Sequence, residues 1–120
     1  MARKNYDFQI TQQVSERIAL EILDDVGTPR DLSGYQFKLA CKKNYTDPQT
    51  IFQLSSMEAT IQLDSVHHHN LYLDFKHELT KTLAFDRGVY DLLAFLPDKS
   101  SVELLMGGTV SLHRTVTSLD

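Results

Sequence analysis

Between Tyr35 and Lys43 the chain alternates with a period of two, setting Phe37, Leu39 and Cys41 on one side and Gln36, Lys38, Ala40 and Lys42 on the other. Successive Cβ atoms leave opposite faces of a pleated strand, so the pattern demands a half-buried β-strand; a helix would spread these residues around its circumference. The Asp31-Leu-Ser-Gly34 that precedes it is a turn feeding that strand.

The same period recurs along the chain. Tyr6, Phe8 and Ile10 alternate with Asp7, Gln9 and Thr11, predicting a first strand with one face buried. Ser15 to Leu23 has helical propensity, but Ile18, Leu20 and Ile22 stand two apart and lead into the turn cluster Asp24 to Pro29, which favours strand. Gly27 can take a positive φ and Pro29 cannot donate to a ladder, so Asp24 to Asp31 is read as an exposed loop. Asp47-Pro48 marks another turn. Strands are expected at Ile51 to Leu54, at Met57 to Leu63 with Ala59, Ile61 and Leu63 inward, and at Leu71 to Lys76. Leu79 and Leu83, four apart in His77 to Ala84, fit a single helical turn bridging two sheets. Val89 to Leu96 is apolar on both faces and belongs in the middle of a sheet or under a partner. Pro97 to Ser101 is a hairpin loop. In the returning strand Val102, Leu104 and Met106 alternate with Glu103 and Leu105, and Gly107-Gly108 suggests a bulge or bend. About eight short strands with turns at regular intervals define an all-β antiparallel sandwich or small barrel.

A chain of 120 residues suits one domain, here 1–120 with short polar arms at 1–5 and 115–120. It buries about two thirds of its unfolded surface on folding, enough to need no metal or disulfide. Cys41 is the only cysteine; on the apolar side of a strand it reads as a small buried hydrophobe. The net charge of -4 argues against phosphate-directed nucleic-acid binding, and the basic pairs Arg3-Lys4 and Lys42-Lys43 are ordinary surface. The N-terminus lacks an apolar signal segment and no run of 18 apolar residues occurs, so neither export nor a membrane is expected and synthesis in the cytoplasm is.

Chemistry is sparse. His67 and His69 are the metal-ligating candidates, two imidazoles two residues apart, with Asp64 or Asp74 as candidate oxygen ligands. A closed zinc site needs four oriented ligands, and this stretch lies where a hairpin loop is expected, so no metal and no cofactor is assigned. The chain has no Gly-x-Ser-x-Gly elbow, no phosphate-cradling glycine loop and no His-Glu-x-x-His, and no catalytic residue is assigned. The aromatic content, five Tyr and six Phe with no Trp, is modest; a carbohydrate-binding platform usually calls for several exposed aromatics, often Trp, so their lack counts against that reading.

The order of motifs nevertheless resembles a known family. Tyr6-Asp-Phe-Gln-Ile-Thr-Gln-Gln13 is followed by Ile18-Ala-Leu-Glu-Ile22, then by Asp31-Leu-Ser-Gly-Tyr35 running into Phe37-Lys-Leu-Ala-Cys-Lys-Lys43 and the turn Tyr45-Thr-Asp-Pro48. Leu71-Tyr-Leu-Asp-Phe75, Thr80-Lys-Thr82, Gly88-Val-Tyr-Asp-Leu92 and Leu105-Met-Gly-Gly-Thr-Val-Ser-Leu112 complete the series. Together they are similar to the small immunoglobulin-like proteins of tailed bacteriophages, found at the start of upper baseplate proteins and as short virion proteins near tail-fibre genes. The chain departs from that pattern at His67-His-His69, where the family often has a glycine-rich turn, and at Leu83-Ala-Phe-Asp-Arg-Gly88, where it has Ala-Leu-Pro-Ala-Gly.

The resemblance implies an immunoglobulin-like β-sandwich acting without catalysis as a tail, baseplate or tail-fibre assembly module, present in many copies set by virion symmetry. Capsid decoration or cementing is the nearest alternative, and a carbohydrate-binding host-surface adhesin is an alternative of another class. The expected partners are other virion proteins. The expected contacts are Arg3 and Lys4 in the N-terminal arm, Asn44 and Tyr45 in the loop to Gln49, and the outward face of Val89, Leu93 and Phe95.

Overall fold

A computed structural model describes residues 4–117. In chain order it contains β1 (Lys4–Asn5), β2 (Phe8–Thr11), β3 (Glu16–Glu21), β4 (Gln36–Lys42), β5 (Thr50–Ser55), β6 (Ile61–Leu63), β7 (Asn70–Phe75), the short helix α1 (His77–Thr80), β8 (Arg87–Phe95) and β9 (Val102–His113). The strands form two sheets. The larger runs β1-β9-β8-β4-β5 with β2 also on β9, and the smaller runs β3-β7-β6. This is the expected all-β sandwich, and its core lies between the sheets. Phe37, Leu39 and Cys41 of β4, Tyr90 and Leu92 of β8, and Leu71, Leu73 and Phe75 of β7 are all buried there.

Strand β4 behaves as its alternation requires, with Phe37, Leu39 and Cys41 buried. Its entry turn is explained atom by atom: Asp31 Oδ1 accepts from Ser33 N at 3.0 Å, Leu32 is fully buried, and Gly34 takes φ +84, a conformation L side chains rarely adopt. The helical turn at His77 also bridges the sheets. His77 N donates to Ser15 Oγ and buried Thr80 donates from Oγ1 to Val14 O at 3.1 Å, tying down the segment that crosses from β2 to β3.

Several expectations are corrected. The chain is antiparallel except at its start, where β1 and β2 run parallel to β9, with Lys4 opposite Met106 and Phe8 opposite Val110. The N-terminal arm therefore ends earlier than position 5, because Lys4–Asn5 pairs with β9. The first strand is interrupted at Tyr6-Asp7, and Tyr6 is 42% exposed while Phe8 and Ile10 are buried. The strand expected from Met57 shrinks to Ile61–Leu63. Ser55 Oγ accepts from Glu58 N and Ala59 N donates to Ser56 O, folding 56–59 into a turn that leaves Met57 exposed and Ala59 at φ +60. In β9 the bulge falls at Leu105 rather than at the glycines. Leu92 faces Met106 but Leu93 faces Leu104, so Met106 turns into the core while Leu104 turns out.

The glycines serve a different purpose. A Cβ on Gly108 would lie 2.5 Å from Tyr6 O, and one on Gly88 would lie 2.8 Å from both Cys41 Sγ and Lys42 O. Each permits one backbone segment to lie closely against another.

Candidate interaction surface

Because β8 is central in the larger sheet, its alternate residues are shared between core and solvent. Tyr90, Leu92 and Ala94 are buried; Val89, Asp91, Leu93 and Phe95 are half-buried on the outer face. Register places Leu93 between Lys38 and Leu104, and Phe95 between Gln36 and Val102. Leu93, Phe95, Val102 (55% exposed) and Leu104 (36%) thus form one apolar cluster, flanked by Lys38. Val102 and Leu104 escaped the sequence reading, since the bulge at Leu105 that separates them from Met106 leaves no mark in the alternation. Val89 stands apart from the cluster, beyond the row of Asp91, Ala40 and Gly107.

Beside that row lies a shallow cup lined by Ala40, Lys42, Tyr45, Val89 and Asp91. Tyr45, 57% exposed, stands at its rim in the loop after β4. Asn44 turns inward on its own loop, its Oδ1 accepting from the N and Oγ1 of Thr46. The structure therefore brings Tyr45 and Val89 together and leaves Leu93 and Phe95 as a second centre. Arg3 lies outside the described residues, and the backbone of Lys4 pairs with Met106.

The histidines occupy the hairpin loop between β6 and β7, as expected. The His67 and His69 rings are 6.0 Å apart and edge-on. The candidate carboxylates, Asp64 and Asp74, are engaged elsewhere. Asp64 accepts from Tyr72 Oη at 2.6 Å and from the N–H groups of Val66 and His67, which hold its carboxyl well below the usual range. Asp74 holds Arg17 in a bidentate pair at 2.6 and 3.0 Å, and the guanidinium lies 5.0 Å from the Tyr72 ring centroid. Among the described residues no group of three or more His, Cys, Asp or Glu is placed to hold a metal ion.

Two further features bound the chemistry. Cys41 is fully buried, and burial pushes its thiol up to about 12, far from the thiolate a nucleophile requires. A solvent-open cleft at one end is lined by Lys43, Asp47, Phe85, Asp86, Arg87 and Arg114, where Arg114 Nη2 lies 3.2 Å from Asp86 Oδ1 and donates to Ala84 O. That pair leaves Lys43, Asp47 and Arg87 as the other charges lining the cleft. No described helix is long and apolar enough to cross a membrane.

With this geometry in place, comparison with known proteins gives the class. A marsupial T cell receptor chain superposes with a TM-score of 0.51 at 16% identity, covering 98% of this chain and 54% of its own length. The chain spans about half the length of that structure. No protein-family model and no curated protein sequence matches it. The fold is an immunoglobulin-like β-sandwich, in the arrangement that adds a strand, here β5, beyond β4 in the larger sheet. It lacks the inter-sheet disulfide and the tryptophan of antibody domains. The inward residues of β3 and β8 include buried Leu20 and Leu92, and Cys41 lies on β4.

Proposed function

We propose that this chain is a non-enzymatic structural protein of a tailed bacteriophage, an adaptor that joins tail, baseplate or tail-fibre proteins. The observation carrying this reading is an outward apolar cluster of Leu93, Phe95, Val102 and Leu104, on a sandwich whose strand and turn motifs resemble the phage pattern except at His67–His69 and Leu83–Gly88. A rigid two-sheet body offers faces and edges to neighbouring chains, and particle symmetry multiplies contacts that are weak singly. Other virion proteins are the partners, and the particle is the place of action after synthesis in the host cytoplasm.

Mass spectrometry of purified virions tests it: the protein is expected in stoichiometric amounts, and its absence ends the proposal. Cryo-EM of tails separated from capsids distinguishes tail placement from capsid decoration. Exposed Tyr45 beside the cup at Ala40 and Val89 is the feature that favours an adhesin. In that case glycan-array binding is expected and is lost in Tyr45→Ala.

A further inference from the structure

The smaller sheet has an open edge with a self-complementary pattern. Its terminal strand β3 pairs with β7 alone among the described residues, because the preceding β2 belongs to the other sheet. The direction of its backbone groups follows from three bonds. Ile22 N donates to His69 O, so the even-numbered residues of β3 face β7. Asp74 N donates to Thr60 O and Asn70 O accepts from Asp64 N, so the residues opposite Arg17 and Glu21 direct their backbones toward β6. The N–H and C=O groups of Arg17, Ala19 and Glu21 therefore point out of the sheet edge. Between Glu16 and Glu21 there is no proline and no register shift, two of the devices that commonly blunt an edge.

We propose that this edge joins the same edge of a second copy, antiparallel about a two-fold axis with Ala19 opposite Ala19, merging two three-stranded sheets into one continuous sheet. Only outward-pointing backbones can pair, so odd-numbered residues face odd-numbered residues. Centring on Ala19 sets Arg17 opposite Glu21 of the second copy, twice, with the small alanines between them. Centring on Ile18 or Leu20 sets one of those charges against Ala19, and centring on Arg17 or Glu21 sets like charges together. The alanine-centred register exchanges about six backbone hydrogen bonds.

The side chains are prepared for it. Arg17 engages Asp74 through Nε and Nη2, leaving Nη1 for the incoming carboxylate. Glu21 is 61% exposed with His69 Nε2 3.6 Å away. On the inner side, partly buried Ile18 meets Leu20 of the second copy, extending the core across the junction. A contact of this size gives a weak, reversible dimer whose occupancy rises with local concentration. The pairing uses surfaces separate from the outer face of β8 and is independent of where the protein works.

Cysteine cross-linking reads the register directly. In Ala19→Cys the two thiol-bearing residues face each other with Cα atoms about 5.5 Å apart, within the range of a disulfide. Cys41 is fully buried and contributes no background. Mild oxidation is expected to give a covalent dimer of Ala19→Cys much faster than of Arg17→Cys or Glu21→Cys alone, while a mixture of those two cross-links. Equal rates for the three single variants overturn the proposal. Sedimentation over a concentration series is expected to show a reversible wild-type dimer whose Kd rises by about tenfold or more in Glu21→Arg, which sets like charges opposite each other across the junction. A wild-type chain monomeric throughout, or a Kd unchanged in Glu21→Arg, overturns it equally.

Discussion

The hydroxyl of Tyr90 donates to the backbone carbonyl of Tyr6 at 2.5 Å, joining the central strand β8 to the break between β1 and β2. Tyr90 is buried to all but 1% and its ring packs edge-on against Phe8 at 5.0 Å between centroids. Burial pushes its hydroxyl well above the ordinary tyrosine range, keeping it a neutral donor. Tyr90→Phe retains the ring and loses the bond. It is expected to cost about 1–2 kcal/mol in urea unfolding. An unchanged midpoint would show that the bond adds nothing.

Gly108 lies opposite Tyr90 and directly beneath the same carbonyl. Gly108→Ala forces a Cβ against backbone, which cannot swing aside as a side chain would. The expected loss is about 1–3 kcal/mol by chemical denaturation. Gly88→Ala, crowding Cys41 Sγ and Lys42 O, is expected to fall in the same range.

Leu92 and Leu93 are chain neighbours on opposite faces of β8. Leu92→Ala empties a site in the core and is expected to cost about 2–5 kcal/mol. Leu93→Ala lies on the outer face and is expected to cost less than about 1 kcal/mol. Equal losses in thermal unfolding would mean that the outer face is covered in the isolated protein.

At one end of the sandwich Arg30 and Glu103 pair through two bonds of 3.1 and 2.9 Å, both side chains about four-fifths buried. The bond from Arg30 holds the Glu103 carboxyl below its ordinary 4.5. A carboxyl lowered by folding stabilises the protein above its unfolded value, and that contribution fades as pH drops through the folded one. Glu103→Gln is therefore expected to cost about 1–2 kcal/mol at neutral pH and progressively less below about pH 4.5, measured by urea melts across pH. A constant deficit at every pH would remove the ionic contribution.

How much was legible in the sequence follows the range of the forces involved. The strand from Gln36 to Lys42, the helical turn at His77 and the loop holding His67 to His69 were legible because alternation and turn chemistry are local. The parallel docking of Phe8 against Val110 was not, since both positions read as strand whichever neighbour they take. Met57 to Ala59 kept an alternating pattern but lost to Ser55 and Ser56, whose side-chain and backbone oxygens offered the chain a tighter turn. Of the outer cluster, Leu93 and Phe95 were visible from their own strand. Val102 and Leu104 needed the register across β8, which a single strand does not encode.

Cys41 offers a probe of integrity. With its thiol buried and pushed up to about 12, labelling by iodoacetamide at pH 8 is expected to be very slow in the native protein and fast in guanidinium. Rapid native labelling would place local opening near β4 and β5.

The parallel pairing of the first strand with the last also orders events in time. During synthesis Phe8 and Ile10 emerge well before the strand against which they lie, from Val110 to Leu112. Their apolar side chains must wait, unpaired, until that strand is made, and the bond from Tyr90 to Tyr6 can position them only once β8 has emerged. The sandwich is thus clasped by β9, and a nascent chain stalled before Thr109 would carry an unlatched, adhesive β2.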